Sequence, residues 1–138
     1  MDLCLVGSEM CIRDRYKFTP PGAKLPLFPQ VSPRLGEIIL VEGIYDVINL
    51  HDKGLENAMC CFGTNNINED KLRMLQMQGI SRVAIFLDGD EAGQKGATNI
   101  QVMCEKVGLV ARNIYLKDLD PGALTETQVK KLENKLYA

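Results

Sequence analysis

Residues 82–93 read RVAIFLDGDEAG, and this stretch decides the fold. It opens with Arg82 and five consecutive apolar residues, Val83 to Leu87, with no polar alternation. Such a run predicts a strand at 82–87 that is buried on both faces, as central strands of parallel sheets are. Asp88 and Asp90 follow directly. The stretch therefore predicts a central strand that carries acidic side chains at its carboxyl end.

Short apolar runs alternate with stretches of helical period on both sides of this strand. In chain order they predict a strand at 38–41, a helix from Ile44 to Gly54, a strand at 58–62, a helix at 68–78, the strand at 82–87, a helix stopped by Gly108, a strand at 109–116 and a last helix that starts with a Thr125–Gln128 capping box. Such alternation is typical of βα units. The expected fold class is α/β, with an open, mainly parallel, four-stranded Rossmann-like sheet flanked by helices.

Four segments are expected along the chain. Residues 5–15, LVGSEMCIRDR, resemble a translated sequencing adapter, so 1–15 are interpreted as a non-native tail. Residues 16–36 hold five of the six prolines and predict an extended lead-in. One domain at 37–124 and a C-terminal helix at 125–138 follow. With such a tail, the natural reading frame is expected to have been cut before Tyr16.

Composition narrows the classes of protein. A chain of 138 residues with 46% hydrophobic content fits one domain, and a net charge of -2 excludes a strongly basic nucleic-acid arm. The longest apolar runs fall far short of the roughly 20 residues that span a membrane. None of the five cysteines forms a CxxC pair or lies near His51, so no zinc-ligand spacing exists. We expect a cytoplasmic protein without membrane contact.

Acidic residues follow two predicted strands. Glu42 ends the first strand, Asp46 lies one helical turn later, and Asp88 and Asp90 follow the third. Ligands of open α/β sheets bind beyond the carboxyl ends of the strands. Two carboxylates about 6 Å apart repel by roughly 3 kcal/mol, so a cluster favours a divalent cation. Ligands that are all oxygen favour Mg²⁺ or Mn²⁺, which points to phosphoryl or nucleotidyl transfer.

Glycines and a lysine near these acids are candidates for phosphate binding. Gly43 lets the chain turn after Glu42, Gly89 and Gly93 allow backbone to approach an anion, and Lys95 can meet a phosphate. The alternative reading is that the acids only cap the helices that follow the strands. An EF-hand is excluded, since Ala92 and Asn99 occupy ligand positions of that loop. A haloacid-dehalogenase-like phosphatase stays an alternative, although Ala92 stands where that motif has a hydroxyl residue.

Three motifs together resemble a Toprim domain: ILVEGIYDV at 39–47, CFGT at 61–64 and IFLDGDEAG at 85–93. The resemblance covers about residues 37–124. The EGxxD and DGDxAG forms, with Gly63 and Thr64 between them, are similar to DnaG-like primases of bacteria and phages and to primase-helicases rather than to topoisomerases.

The resemblance implies a Mg²⁺- or Mn²⁺-dependent site. In it Glu42 acts as general acid/base or metal ligand, Asp88 and Asp90 hold metal, and Asp46 belongs to the same acidic cluster. Gly63 and Thr64 belong to the substrate-binding segments. Primases of this type carry a later DPD pair of acids; here the sequence is Asp120-Pro121-Gly122, so Asp120 is a further candidate ligand and the second acid is replaced.

The function that the resemblance implies is RNA primer synthesis in DNA replication, by the Toprim catalytic subdomain of a DNA primase present as a truncated fragment. Its implied partners are nucleotides, a single-stranded DNA template, the N-terminal primase subdomains and a replicative helicase. Two alternatives stay open: a Toprim-type phosphodiesterase or nuclease that polarises water, and a non-catalytic module that binds nucleotide or a partner. Cleavage of single-stranded DNA or structured RNA with Mg²⁺ would favour the first alternative over a primase. A Glu42→Gln variant that binds Mg²⁺ and keeps every activity unchanged would favour the second.

Overall fold

The computed structural model of the chain describes residues 27–117 and 119–137. The expectations for the tail at 1–15 and for the first part of the lead-in, up to residue 26, lie outside the described residues. Within the described part of the lead-in, residues 27–36, no helix forms. Phe28 instead exchanges two backbone hydrogen bonds with Cys60, of 3.1 and 2.6 Å, as one antiparallel bridge.

Strands and helices alternate through the described residues, as the sequence predicts. Their bounds are β1 (Glu37–Val41), α1 (Ile44–Asp52), β2 (Ala58–Cys60), α2 (Glu69–Met77), β3 (Arg82–Ile85), α3 (Glu91–Val107), β4 (Val110–Asn113) and α4 (Glu126–Tyr137). Two short 3₁₀ turns, Thr64–Asn66 and Pro121–Ala123, lie in the connections. No described helix is both long and apolar enough to cross a membrane.

The four strands form one parallel sheet in the order β2-β1-β3-β4. β3 lies between β1 and β4, and Val83, Ala84 and Ile85 in it are fully buried. This confirms the expected α/β class and the inner position of the third strand. Because every strand runs the same way, the segments after β1, β2, β3 and β4 all leave the sheet at one edge.

Two helices cover each face of the sheet. Alternate residues of β1 point to opposite faces, so that Ile38 and Leu40 pack with α2 and α3, whereas Ile39 and Val41 pack with α1 and α4. The side chains that α1 and α4 bury are Val47, Leu50, Val129 and Leu132. The result is three layers with a core on either side of the sheet.

Three strands are shorter than the sequence predicts. β2 ends at Cys60, β3 at Ile85 and β4 at Asn113, where the apolar runs suggested ends two to three residues later. Phe86 and Leu87 nevertheless remain buried, with at most 1% of their surface exposed. A run of apolar residues predicts burial but not strand pairing. Phe86 and Leu87 are therefore in the core although β3 has already ended at Ile85.

The helix ends follow the predicted capping. Thr125 and Gln128 form the expected capping box, with backbone to side-chain hydrogen bonds of 2.9 and 3.3 Å. α3 is capped at its carboxyl end by Gly108, whose φ of 91° lies in the left-handed region that favours glycine.

A buried carboxylate at the start of β1 was not predicted. Glu37 is 1% exposed and accepts hydrogen bonds from Arg112 Nε at 2.9 Å, Arg112 Nη2 at 2.6 Å and the Tyr137 hydroxyl at 2.8 Å. Both partners are needed, because a buried charge without them is costly. Through Tyr137, this network joins α4 to the sheet at the end opposite the acidic edge.

Candidate metal centre

Three aspartates converge at the carboxyl edge of the sheet. Asp46, Asp88 and Asp120 each present a carboxylate oxygen, and these oxygens all lie within 4.8 Å of one another. They come from three separate segments of the chain. We refer to these three residues as the metal centre.

Asp46 is held in the first turn of α1. Its Oδ2 accepts a hydrogen bond of 3.2 Å from the backbone N–H of Gly43, the residue that caps the helix. Val47 and Leu50 anchor the same helix in the core. The position of the Asp46 carboxylate is therefore fixed by both the helix start and the packing of the helix.

Asp88 follows β3 and is tied to its surroundings through backbone groups. Its carbonyl accepts a hydrogen bond of 3.2 Å from the side chain of Gln94, and the next residue, Gly89, donates its N–H to the Leu119 carbonyl at 3.0 Å. The second bond places the segment that carries Asp120 beside Asp88. A Cβ on Gly93 would lie 2.2 Å from the Asp88 carbonyl oxygen, so only glycine lets α3 start this close.

Asp120 caps the Pro121–Ala123 turn. Its Oδ1 accepts the Gly122 N–H at 2.8 Å. Asn49, one turn along α1 from Asp46, donates to the carbonyls of Pro121 and Leu124 at 2.8 and 3.2 Å. These bonds dock the turn on α1 and bring Asp120 to Asp46.

Electrostatic strain in the metal centre shows in Asp46. Burial raises its pKa from 3.8 to about 7, helped by its hydrogen bond with Asp120, by the charge of Asp120 and, to a smaller extent, by that of Asp88. Two carboxylate charges 4.8 Å apart, the largest separation in the metal centre, repel by about 3.5 kcal/mol at an effective dielectric near 20. A bound cation offsets this repulsion, because it attracts each of the carboxylates. The all-oxygen donor set fits Mg²⁺ or Mn²⁺.

Glu42 and Asp90 lie at the same edge but outside the group of three formed by the described residues. The backbone carbonyl of Glu42 accepts the Gly63 N–H at 3.1 Å, which joins the segments after β1 and β2. Asp90 is exposed and caps α3, where its Oδ1 accepts the Gly93 N–H at 2.7 Å. The structure thus groups Asp46 and Asp88 with Asp120, and the roles predicted for Glu42 and Asp90 stay predictions.

The predicted phosphate-binding residues lie along this edge. Gly43 and Gly89 are buried, and each directly follows an acidic residue, Glu42 for Gly43 and Asp88 for Gly89. Thr64 begins a 3₁₀ turn and packs against α3, where a Cβ on Gly96 would come within 2.7 Å of its Cγ2. Lys95 is exposed in the second turn of α3. Their contacts with phosphate stay predictions.

Two residues that position the site were missed from the sequence. Asn49 orders the segment of Asp120, and Gly122 leaves room for Asp46, since a Cβ there would lie 2.7 Å from Asp46 Oδ1. The sequence held a signal for Asn49, because it lies three residues after Asp46 and residues three apart share a helix face. For Gly122 no local signal exists, because the close approach arises from tertiary packing.

The described cysteines have no part in the site chemistry. Cys60, Cys61 and Cys104 are buried, and burial raises the pKa of the first two thiols to about 12 and of the third to about 11. They remain protonated near neutral pH and are poor nucleophiles. Buried and protonated, these three cysteines pack as small apolar side chains.

Comparison with known proteins agrees with this geometry. A family model described as Toprim domain matches residues 36–115. A DNA primase of Pseudomonas putida is 43% identical over 63 residues, which are 46% of this chain and 9% of that protein.

Two solved structures are similar in fold. The zinc-binding and RNA polymerase domains of the Aquifex aeolicus primase superpose with a TM-score of 0.65 at 27% identity, covering 74% of this chain and 25% of that one. The catalytic domain of a DnaG primase bound to single-stranded DNA superposes with a TM-score of 0.63 at 25% identity, covering 73% of this chain and 33% of that one. The chain therefore spans at most a third of each of these three proteins.

Proposed function

Because this chain belongs to the Toprim domain family, we propose that it provides the metal-binding catalytic subdomain of a DnaG-type DNA primase, which joins ribonucleotides into a primer on a single-stranded DNA template. The observation that carries the proposal is the convergence of Asp46, Asp88 and Asp120 at the carboxyl edge of the sheet. The similarity of this chain to primases, in sequence and in structure, supports primer synthesis over the other activities of Toprim domains.

Asp46, Asp88 and Asp120 would hold Mg²⁺ or Mn²⁺. A cation bound there supplies positive charge for nucleotide phosphates and lowers the pKa of a coordinated hydroxyl. The chain itself positions the ligands through Gly43, Asn49 and the Gly89–Leu119 hydrogen bond. Glu42, half-buried at the same edge, is proposed as the general acid/base. Asp90 is proposed as a ligand through the oxygen that does not cap α3.

Template binding is proposed to depend on protein beyond this domain. The net charge is -2, whereas binding to DNA phosphates needs clustered lysine and arginine. Most of the length of the primases that the chain matches has no counterpart in it. The proposed partners are those further primase subdomains, the DNA template, nucleotides and a replicative helicase. The proposed location is the cytoplasm.

A chimeric primase tests this function. Residues 36–124 replace the matching segment of the Pseudomonas putida primase, and primer synthesis on single-stranded DNA is measured with Mg²⁺. We expect the chimera to make primers, and Asp88→Asn in it to lower the rate by about a hundredfold or more, since metal-site changes have effects of this size. Asp52→Asn, on an exposed aspartate of α1, is the matched control and is expected to leave the rate unchanged.

Two outcomes contradict the proposal. One is a chimera that makes primers equally well with Asp88→Asn. The other is a folded chimera without primer synthesis together with Mg²⁺-dependent cleavage of single-stranded DNA or structured RNA by the isolated chain, which would assign a phosphodiesterase.

A further inference from the structure

An open cleft of about 600 Å³, lined by residues with polar side chains, lies beside the metal centre. It is formed between the start of α3 and the segment after β4, and the lining side chains are Asp90, Glu91, Gln94, Asn113, Tyr115 and Lys117. We propose that this cleft receives the base of a nucleotide whose phosphates lie at the metal centre, with Tyr115 as the surface on which the base stacks. The inference rests on the proposed function, because it needs a cation at the metal centre.

The cleft and the metal centre are joined through the backbone. Gly89 contributes to the cleft wall and follows Asp88 directly, so their Cα atoms are about 3.8 Å apart. One nucleotide can therefore reach both places.

Tyr115 presents an aromatic ring to solvent where a base could stack. It is 52% exposed, whereas the preceding residue, Ile114, is 8% exposed and packs in the core. The buried neighbour fixes the backbone at this point, so the position of the tyrosine is set by the core. Stacking of a base on an aromatic ring contributes affinity with little dependence on base identity.

An ordered pair of amides forms another part of the cleft. Asn113 donates through Nδ2 to Gln94 Oε1 at 2.8 Å, and Gln94 donates through Nε2 to the Asp88 carbonyl at 3.2 Å. Gln94 donates through its Nε2 to Asp88, so its Oε1 faces Asn113 and must accept a hydrogen bond there. The Asn113 amide is therefore oriented with its Nδ2 towards Gln94. Asn113 has a second N–H and a carbonyl oxygen, the donor and acceptor pair that the edge of a base can pair with.

Charge determines which end of a nucleotide fits the cleft. Glu91 is acidic, Asp90 is the proposed ligand of the cation, and Lys117 is the one basic side chain among the lining residues. Phosphates are attracted by a cation at the metal centre and repelled by Glu91, whereas an uncharged base is not repelled. The nucleotide is therefore oriented with its phosphates at Asp88 and its base at Tyr115.

Calorimetric titration of the 138-residue chain with Mn²⁺·ATP and with Mn²⁺·tripolyphosphate tests this inference. We expect the wild type to bind Mn²⁺·ATP about five- to tenfold more tightly, the lower part of the range for one stacked base. Tyr115→Leu is expected to remove this difference and Tyr115→Phe to retain it. Val110→Ala, at an exposed apolar position of β4, is the control and should retain it.

The outcomes separate this inference from the proposed function. Equal binding of the two complexes by a wild type that binds Mn²⁺ overturns the base site and leaves the metal centre standing. A preference for Mn²⁺·ATP that survives in Tyr115→Leu also overturns it. Absence of Mn²⁺ binding by the wild type overturns the proposed function, and with it the base site.

Discussion

Gly93→Ala is expected to destabilise the domain by about 3 kcal/mol and to remove its Mn²⁺ binding. A Cβ at this position would lie 2.2 Å from the carbonyl oxygen of Asp88 and 3.0 Å from its carbonyl carbon. Both are backbone atoms, which cannot rotate away as a side chain can. Either the start of α3 or the segment of Asp88 has to move. Overpacking typically costs about 1–3 kcal/mol, and because the obstacle here is backbone we expect the upper end of that range.

Urea unfolding followed by circular dichroism measures the stability of Gly93→Ala, and calorimetry measures its Mn²⁺ binding. Asn99→Ala, at an exposed position of the same helix, is the control and should change stability by less than about 0.5 kcal/mol. A Gly93→Ala variant with the stability and Mn²⁺ affinity of the wild type would show that α3 does not approach Asp88 as described.

Asp46→Asn is expected to stabilise the metal-free protein at pH 8 and to remove most of the stabilisation by Mn²⁺. The folded state raises the pKa of Asp46 to about 7, above its ordinary value of 3.8. The folded state therefore holds this proton more tightly than the unfolded state does. As pH rises from about 4 to 7 the wild type loses stability, and above 7 the cost is fully present. Asparagine does not ionise, so the variant avoids the cost.

We expect a gain of about 2 kcal/mol for metal-free Asp46→Asn at pH 8 and almost none at pH 4, because part of the cost is screened by solvent. Thermal unfolding in chelator at the two pH values measures the gain. Asp52→Asn, on the same helix and 77% exposed at its side chain, should show no such pH dependence. Equal pH profiles for Asp46→Asn and the wild type would contradict the burial of the Asp46 carboxylate beside Asp120.

The sequence was sufficient to predict the sheet because strand and helix patterns are local. The run Val83–Leu87 identified the buried strand, and the Thr125–Gln128 capping box identified the start of α4 to within a residue. The rule for open α/β sheets then placed the acids after β1 and β3 at one edge. Each of these inferences needs only neighbours in the chain and the parallel direction of the strands.

The resemblance to Toprim domains had named Asp120 as a candidate ligand, but its grouping with Asp46 and Asp88, without Glu42 and Asp90, needed tertiary structure. Asp120 lies in a segment without helical or strand period, and its position depends on Asn49, 71 residues earlier, and on the Gly89–Leu119 hydrogen bond. Asp90 shares a motif with Asp88, yet one of its oxygens is engaged in capping α3. Sequence spacing cannot distinguish a carboxylate that caps a helix from one that faces other carboxylates.

Mn²⁺ titration of the metal-free chain at pH 8, followed by calorimetry, tests the central claim most directly. Asp88→Asn is expected to lower the affinity by about a hundredfold, because loss of even an indirect partner of a metal costs about ten- to a hundredfold. Asp52→Asn is expected to bind as the wild type does. If Asp88→Asn binds Mn²⁺ with wild-type affinity, the three aspartates do not form a metal centre.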